Sequence, residues 1–84
     1  MARVIDWDAI RPGMTVWEEW IAGMGATKAE VKGVISEDVK LMHYTLQSGA
    51  TFTQETHRDK QFRYWDEQPT FEEREMTPWI ARKE

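Results

Sequence analysis

Residues 29–46 read AEVKGVISEDVKLMHYTL, and this stretch decides the fold class. Small or apolar residues occupy positions 29, 31, 33 and 35, before the turn-forming residues Ser36-Glu37-Asp38. They alternate with Glu30, Lys32 and Val34. After the turn, the residues of one predicted face, Val39, Leu41, His43 and Thr45, alternate with those of the other, Lys40, Met42, Tyr44 and Leu46. A period of two is that of a β-strand, so the stretch predicts two strands joined as a hairpin.

The chain continues into a second hairpin and a further short strand. Gly49 can supply the positive φ of a tight turn, and the β-branched and aromatic run at residues 50–56 follows it. After a polar break at residues 57–60, residues 61–65 read QFRYW. They indicate a last strand with Phe62 and Tyr64 on one face and Trp65 on the other.

The segment from Met14 to Gly25 fits either a strand or a helix. A strand that starts after Pro12-Gly13 places Met14, Val16 and Trp20 on one face. A helix would instead stack four apolar side chains, those of Met14, Trp17, Ile21 and Met24. We interpret the segment as a strand, because it would cover an otherwise exposed edge of the neighbouring sheet.

A short helix is predicted after Pro69. Thr70 and Glu73 have the spacing of a capping box, and acidic residues occupy the first turn, where the helix dipole favours them. Pro78 should end the helix within about two turns. Trp79 and Ile80 then have the apolar area to hold the tail against the sheet.

These elements predict one mainly β domain over residues 1–84. It is either a small SH3-like barrel or a twisted antiparallel sheet of four to five strands with a short C-terminal helix. A domain of this size has a thin core, so we expect two or three of the five tryptophans inside it and at least one partly exposed at an interaction surface. The five are Trp7, Trp17, Trp20, Trp65 and Trp79.

The composition is acidic and contains no cysteine. There are 15 Asp and Glu residues against 11 Lys and Arg, for a net charge of -4. Because binding to phosphate backbones requires a basic face, we expect no direct nucleic-acid partner. No apolar run approaches the about 20 residues that span a bilayer, and Asp6 lies where a signal peptide would be apolar, so we expect a cytoplasmic protein without a membrane partner.

The usual signatures of catalysis and metal binding do not occur in the sequence. His43 and His57 are 14 positions apart, without the spacing of metal ligands, and neither serine lies in a nucleophile motif. The glycines form no phosphate-binding loop. We therefore expect no enzyme activity, no cofactor and no metal, and we expect the adjacent carboxylates Glu18-Glu19 and Glu72-Glu73 to be solvated and to lie on different faces.

Two clusters are candidate binding sites. The first is an aromatic and acidic partner-binding surface made of Trp65, Trp79, Glu72, Glu73 and Glu75. The alternative is a nucleotide-binding cleft in which cations lie beside stacking rings, made of Arg58, Lys60, Arg63, Tyr64 and Trp65.

A resemblance gives these hypotheses a biological setting. The pattern Phe62-Arg63-Tyr64-Trp65, then Pro69 to Arg74 and Pro78-Trp79, preceded by Pro12-Gly13-Met14, resembles small accessory proteins of bacteriophages and prophages. The likeness lies mainly in residues 61–79. It implies a protein in the host cytoplasm that inhibits or modulates a host protein, such as a component of a defence system. The alternative it implies is a homo-oligomeric sponge that sequesters an immune signalling nucleotide.

Overall fold

The computed structural model describes residues 1–20, 23 and 25–79, in which six antiparallel strands form one open sheet. The strands are β1 (Val4–Ile5), β2 (Thr15–Glu19), β3 (Ala26–Ser36), β4 (Val39–Thr45), β5 (Thr51–His57) and β6 (Arg63–Trp65), and the helix α1 is Phe71–Met76. Their order across the sheet is β1-β6-β2-β3-β4-β5. The mainly β class with a short C-terminal helix is confirmed, as an open sheet and not a closed barrel.

The sheet has one strand more than predicted. The additional strand, β1, contains two residues, and a pattern of two is too short to reveal a period. It pairs with β6, with Ile5 opposite Tyr64. Strand β6 therefore lies between β1 and β2 and has no free edge.

Both predicted hairpins are confirmed. Strands β3 and β4 pair across the predicted turn, with register shifts between Val31 and Gly33 and between Val34 and Ser36. Strands β4 and β5 pair from Val39 opposite His57 to Thr45 opposite Thr51. At the second turn Gly49 has a φ of 93°, which residues with a Cβ rarely adopt.

The ambiguous segment contains a strand, as predicted. Strand β2 pairs with β3 on one side and with β6 on the other, so Glu18 lies opposite both Thr27 and Tyr64. Pairing on both sides satisfies the backbone hydrogen-bonding groups of β2. A helix in this position could not pair with β3 and β6, and their facing backbone groups would lack these partners. The residues Ile21 and Met24, which the helical alternative would have stacked, lie outside the described residues.

The core lies on one face of the sheet. It is covered by Trp7 and Ile10 from the segment between β1 and β2, both almost fully buried. The Trp7 indole Nε1 donates to the Glu37 carbonyl at 2.8 Å, and the Lys40 ammonium lies 4.3 Å from its ring centroid. The other core residues are Val16, Ala29, Val31, Met42, Tyr44 and Tyr64.

The tryptophans divide as expected for a thin core. Trp7 and Trp65 are buried, and Trp17 is half-buried. Trp20 is 44% exposed and Trp79 is 37% exposed. Two indoles are thus enclosed and at least one is partly exposed, so the burial part of the prediction is confirmed.

The C-terminal helix has the predicted capping box. Thr70 Oγ1 accepts from the Glu73 amide at 3.0 Å, and the Glu73 carboxylate accepts from the Thr70 amide at 2.9 Å. Helix α1 ends at Met76, two residues before Pro78. Ile80, predicted to help hold the tail, lies outside the described residues.

Among residues 1–20, 23 and 25–79, no helix is both long and apolar enough to cross a membrane.

The capping box gives a testable expectation for α1. Thr70→Ala removes one capping bond, so we expect the first turn of α1 to lose about 1 kcal/mol of local stability. Hydrogen exchange at the Arg74 amide, which donates to the Thr70 carbonyl at 3.0 Å, measures the loss. Thr70→Ser keeps the hydroxyl and should exchange like the wild type. Equal acceleration in both variants would show that the hydroxyl does not cap the helix.

Candidate functional site

Two consecutive carboxylates in the central strand β2 are buried on opposite faces of the sheet. Glu18 is 1% exposed and Glu19 is 5% exposed. The prediction that they lie on different faces is confirmed, but the prediction that they are solvated is wrong. Because β2 is an inner strand, the core covers one of its faces and the chain around α1 reaches the other.

Glu18 faces the core and is held by neutral donors. Tyr44 Oη lies 3.0 Å and 2.9 Å from its two oxygens, and the Trp20 indole donates to one of them at 2.6 Å. Burial raises the pKa of Glu18 above its ordinary 4.5, and hydrogen bonds from Trp20, Tyr44, Thr56 and Tyr64 offset only part of that effect. Burial and the adjacent carboxylate also raise the pKa of Tyr44, which keeps its hydroxyl a donor.

Glu19 faces the other side and is held by cations. Arg63 Nε donates to one oxygen at 2.8 Å, where the Trp65 indole also donates at 2.8 Å. Arg74 Nε donates to the second oxygen at 3.1 Å. Burial by itself raises the pKa of Glu19, but the hydrogen bonds from Arg63, Trp65 and Arg74 outweigh it and leave the pKa below 4.5.

Arg63 connects the sheet to the C-terminal segment. Its Nη1 donates to the Thr77 carbonyl at 2.6 Å and its Nη2 to the Arg74 carbonyl at 2.8 Å. Its guanidinium also lies 4.9 Å from the Trp65 ring centroid and 4.4 Å from that of Trp79. A buried cation thus satisfies carbonyls at the end of α1, where the helix dipole favours positive charge.

Within one chain, the residues predicted to form a nucleotide cleft between subunits do not line a common surface. Arg63, Tyr64 and Trp65 are all buried, and Tyr64 faces the core while its two neighbours face the other side. Arg58 is paired with Asp8 at 2.6 Å, and Lys60 is exposed. The physical reason is that both faces of β6 are covered, by the core on one side and by the C-terminal segment that Arg63 binds on the other, so its rings cannot stack on a ligand from solvent.

The predicted partner-binding residues are brought together only in part. Trp65 is 1% exposed, so it cannot contact a partner directly, and Glu73 is half-buried and occupied as the helix cap. Glu72 and Glu75 are exposed. Sequence reasoning missed two exposed apolar side chains beside them, Phe71 at 68% and Met76 at 84%. We call the five exposed or partly exposed residues the α1 surface: Phe71, Glu72, Glu75, Met76 and Trp79.

A cavity opens on the core face beside the edge strand β5. Its volume is about 290 Å³ and Glu18 belongs to its lining, so we call it the Glu18 cavity. Trp20 and Phe62 lie with their ring centroids 6.0 Å apart, and Tyr44 stacks on Phe52 at 5.0 Å. Lys60 also contributes to the lining. The strand alternation could have placed Tyr44 and Phe52 on one face, but nothing in the sequence indicated a buried Glu18.

The two histidines lie on neighbouring strands. His43 Nδ1 is 2.9 Å from Thr53 Oγ1, and His57 Nε2 is 3.7 Å from a Glu55 oxygen. His57 was expected in a turn and is instead the last residue of β5. Across the described part of the chain, no three His, Cys, Asp or Glu side chains are close enough together to hold a metal ion.

The Glu19 cluster predicts a dependence of stability on pH. Since its pKa is lowered in the folded state, the ionised carboxylate stabilises the fold above about pH 4.5, and this contribution is lost as pH falls through the lowered pKa. Glu19→Gln should reduce the free energy of unfolding at pH 7 by about 3 kcal/mol, because it leaves the buried Arg63 and the half-buried Arg74 without their counter-charge. Its stability should also decline less steeply below pH 4.5 than that of the wild type.

Urea unfolding from pH 7 down to pH 3 measures both effects. Glu72→Gln, which changes an exposed acid on α1, is the matched control and should leave the stability curve nearly unchanged. Equal pH dependence in Glu19→Gln and the wild type would contradict the assignment of Glu19 as a stabilising carboxylate.

No protein-family model matches the chain, and neither the curated proteins nor the solved structures give a match. The resemblance to phage accessory proteins therefore stays a prediction.

Proposed function

We propose that this protein is a binding protein that docks onto a partner protein through the α1 surface. The observation that carries the proposal is the exposure of Phe71 and Met76, at 68% and 84%, on a helix of only six residues. A helix this short is marginal by itself in water, so its placement depends on contacts with the rest of the chain. Large apolar side chains displayed in this way are typical of interface contacts.

The anchoring of α1 supports this use. Arg63 and Arg74 tie the helix and the residue after it to Glu19 in the sheet, and the Glu73 carboxylate accepts from the Ala2 amide at 2.8 Å. A surface held in place before association loses less conformational entropy when it binds. The backbone that displays the apolar side chains of the α1 surface is therefore held in place before a partner binds.

The charge of the surface indicates the kind of partner. Glu72 and Glu75 flank the apolar residues, while Arg74 is turned toward Glu19. The complementary surface would have an apolar recess bordered by lysine or arginine. Together with the resemblance to phage accessory proteins, this leads us to propose a host protein as the partner and inhibition or modulation of it as the outcome.

The nucleotide sponge is the weaker hypothesis. Its proposed stacking residues Tyr64 and Trp65 are each 1% exposed, and Arg63 is committed to Glu19 and two carbonyls. No contact among the described residues favours it.

Site-specific photo-crosslinking in the host cytoplasm tests the docking proposal. We expect p-benzoylphenylalanine in place of Phe71 to give one discrete adduct, and the same amino acid in place of Val34 to give none. Val34 is 53% exposed on β3 and serves as the matched position. Mass spectrometry of the adduct distinguishes a second copy of the 9.9 kDa chain from a different protein.

Charge reversal provides the second arm of this test. Glu72→Lys with Glu75→Lys should abolish the adduct, because the partner surface is proposed to be basic. Glu37→Lys with Asp59→Lys, two exposed acids outside α1, should leave it intact. Adducts of equal yield from positions 71 and 34, or an adduct that survives reversal at 72 and 75, would overturn the proposal.

A further inference from the structure

We propose that the Glu18 cavity binds a small organic ammonium group, such as a methylated or quaternary amine. The cavity lies on the core face of the sheet, whereas Glu19, Arg63 and the α1 segment lie on the other face. This inference is therefore independent of docking through the α1 surface.

The walls of the cavity are aromatic. Trp20 and Phe62 form one pair of rings, and Tyr44 and Phe52 form the other. Trp20 is 44% exposed and Phe52 is 36% exposed, so both present ring surface toward solvent. Cations are attracted to the faces of such rings, and sets of aromatic side chains are the usual receptors of quaternary ammonium groups.

The Glu18 carboxylate supplies the charge. In the described part of the chain no salt bridge reaches Glu18, while Glu19 is bound by Arg63 and Arg74. The donors around Glu18 are hydroxyl and indole groups, which bear no net charge. Because a buried carboxylate without a counter-ion is costly, a bound cation would supply the partner that the protein itself does not.

The size and the other charges of the cavity narrow the ligand class. A volume of about 290 Å³ lies just below the roughly 300–1,000 Å³ found for the pockets of drug-sized ligands, so the cavity suits a small head group. Lys60 is exposed, so solvent and salt screen its positive charge. The carboxylate of Glu55, which also lines the cavity, lies 3.7 Å from His57 Nε2. The buried charge of the site is therefore the negative charge of the Glu18 carboxylate, which favours a cation over a phosphate.

Binding should couple to the protonation of Glu18. The titratable groups in or beside the site are Glu18, Tyr44, Tyr64, Glu55 and Lys60. Among them, the pKa of Glu18 is raised by burial, and a cation favours its ionised form. Affinity for an ammonium ligand should consequently rise as the pH increases from below to above the pKa of Glu18.

Choline and its neutral isostere 3,3-dimethylbutan-1-ol are the probes. The Trp20 indole N–H, which donates to Glu18, reports occupancy in a two-dimensional NMR titration of the full chain. We expect choline to shift this resonance in a saturable manner and the isostere to bind at least about tenfold more weakly, since it lacks the charge. Choline affinity should increase with pH as described.

Three variants complete the experiment. Phe52→Ala changes a partly exposed ring on the edge strand and should weaken choline binding about three- to tenfold, and Glu18→Gln should weaken it about tenfold or more. Ile35→Ala, which shortens an exposed apolar side chain of β3 outside the cavity lining, should bind choline like the wild type. Phe52→Ala keeps the test decisive if Glu18→Gln fails to fold.

Several outcomes would overturn the proposal. They are the absence of a saturable choline shift, equal affinity for choline and the isostere, and unchanged affinity in Phe52→Ala. A nucleotide that shifts the Trp20 resonance more strongly than choline would likewise show that the cavity is built for a different ligand.

Discussion

The burial of two adjacent carboxylates in one inner strand is the constraint on which the rest of this structure depends. Successive side chains of a strand point to opposite faces, so Glu18 and Glu19 cannot share a partner. Each must be satisfied by its own set of donors. The protein meets this requirement with neutral hydroxyl and indole donors on the core face and with two arginines on the other. The same residue type therefore has two different electrostatic environments at consecutive positions.

The contacts of Glu19 with Arg63 and Arg74 hold helix α1 outside the sheet, although the core of this chain is thin. A conventional arrangement would pack apolar residues of α1 onto the sheet, yet Phe71 and Met76 are exposed. Charge-assisted hydrogen bonds from Arg63 and Arg74 provide the attachment, and the rings of Trp65 and Trp79 lie against Arg63. The apolar side chains of the helix are thereby left exposed.

Local patterns in the sequence were sufficient for the local structure but not for the two carboxylates. The alternation at residues 29–46, Gly49 and the Thr70 and Glu73 pair each encode an element through contacts between near neighbours. Glu18 and Tyr44 are 26 positions apart, and Glu19 and Arg63 are 44 positions apart. Glu19 meets Arg63 because β6 pairs with β2, and Glu18 meets Tyr44 because β2 and β4 both pair with β3. No periodicity in the sequence reports that strand order. For the same reason, Trp65 was expected at a surface and is enclosed.

The most direct test of this account is a carboxyl-carbon NMR titration of the two glutamates in the intact protein. Glutamate labelled with ¹³C at the side-chain carboxyl gives a separate midpoint for each, with Glu18→Gln and Glu19→Gln providing the assignments. We expect Glu18 to titrate above 4.5 and Glu19 below it, although they are neighbours in the chain. Coincident midpoints near 4.5, or the reverse order, would contradict the claim that the two faces of β2 hold their carboxylates in opposite ways.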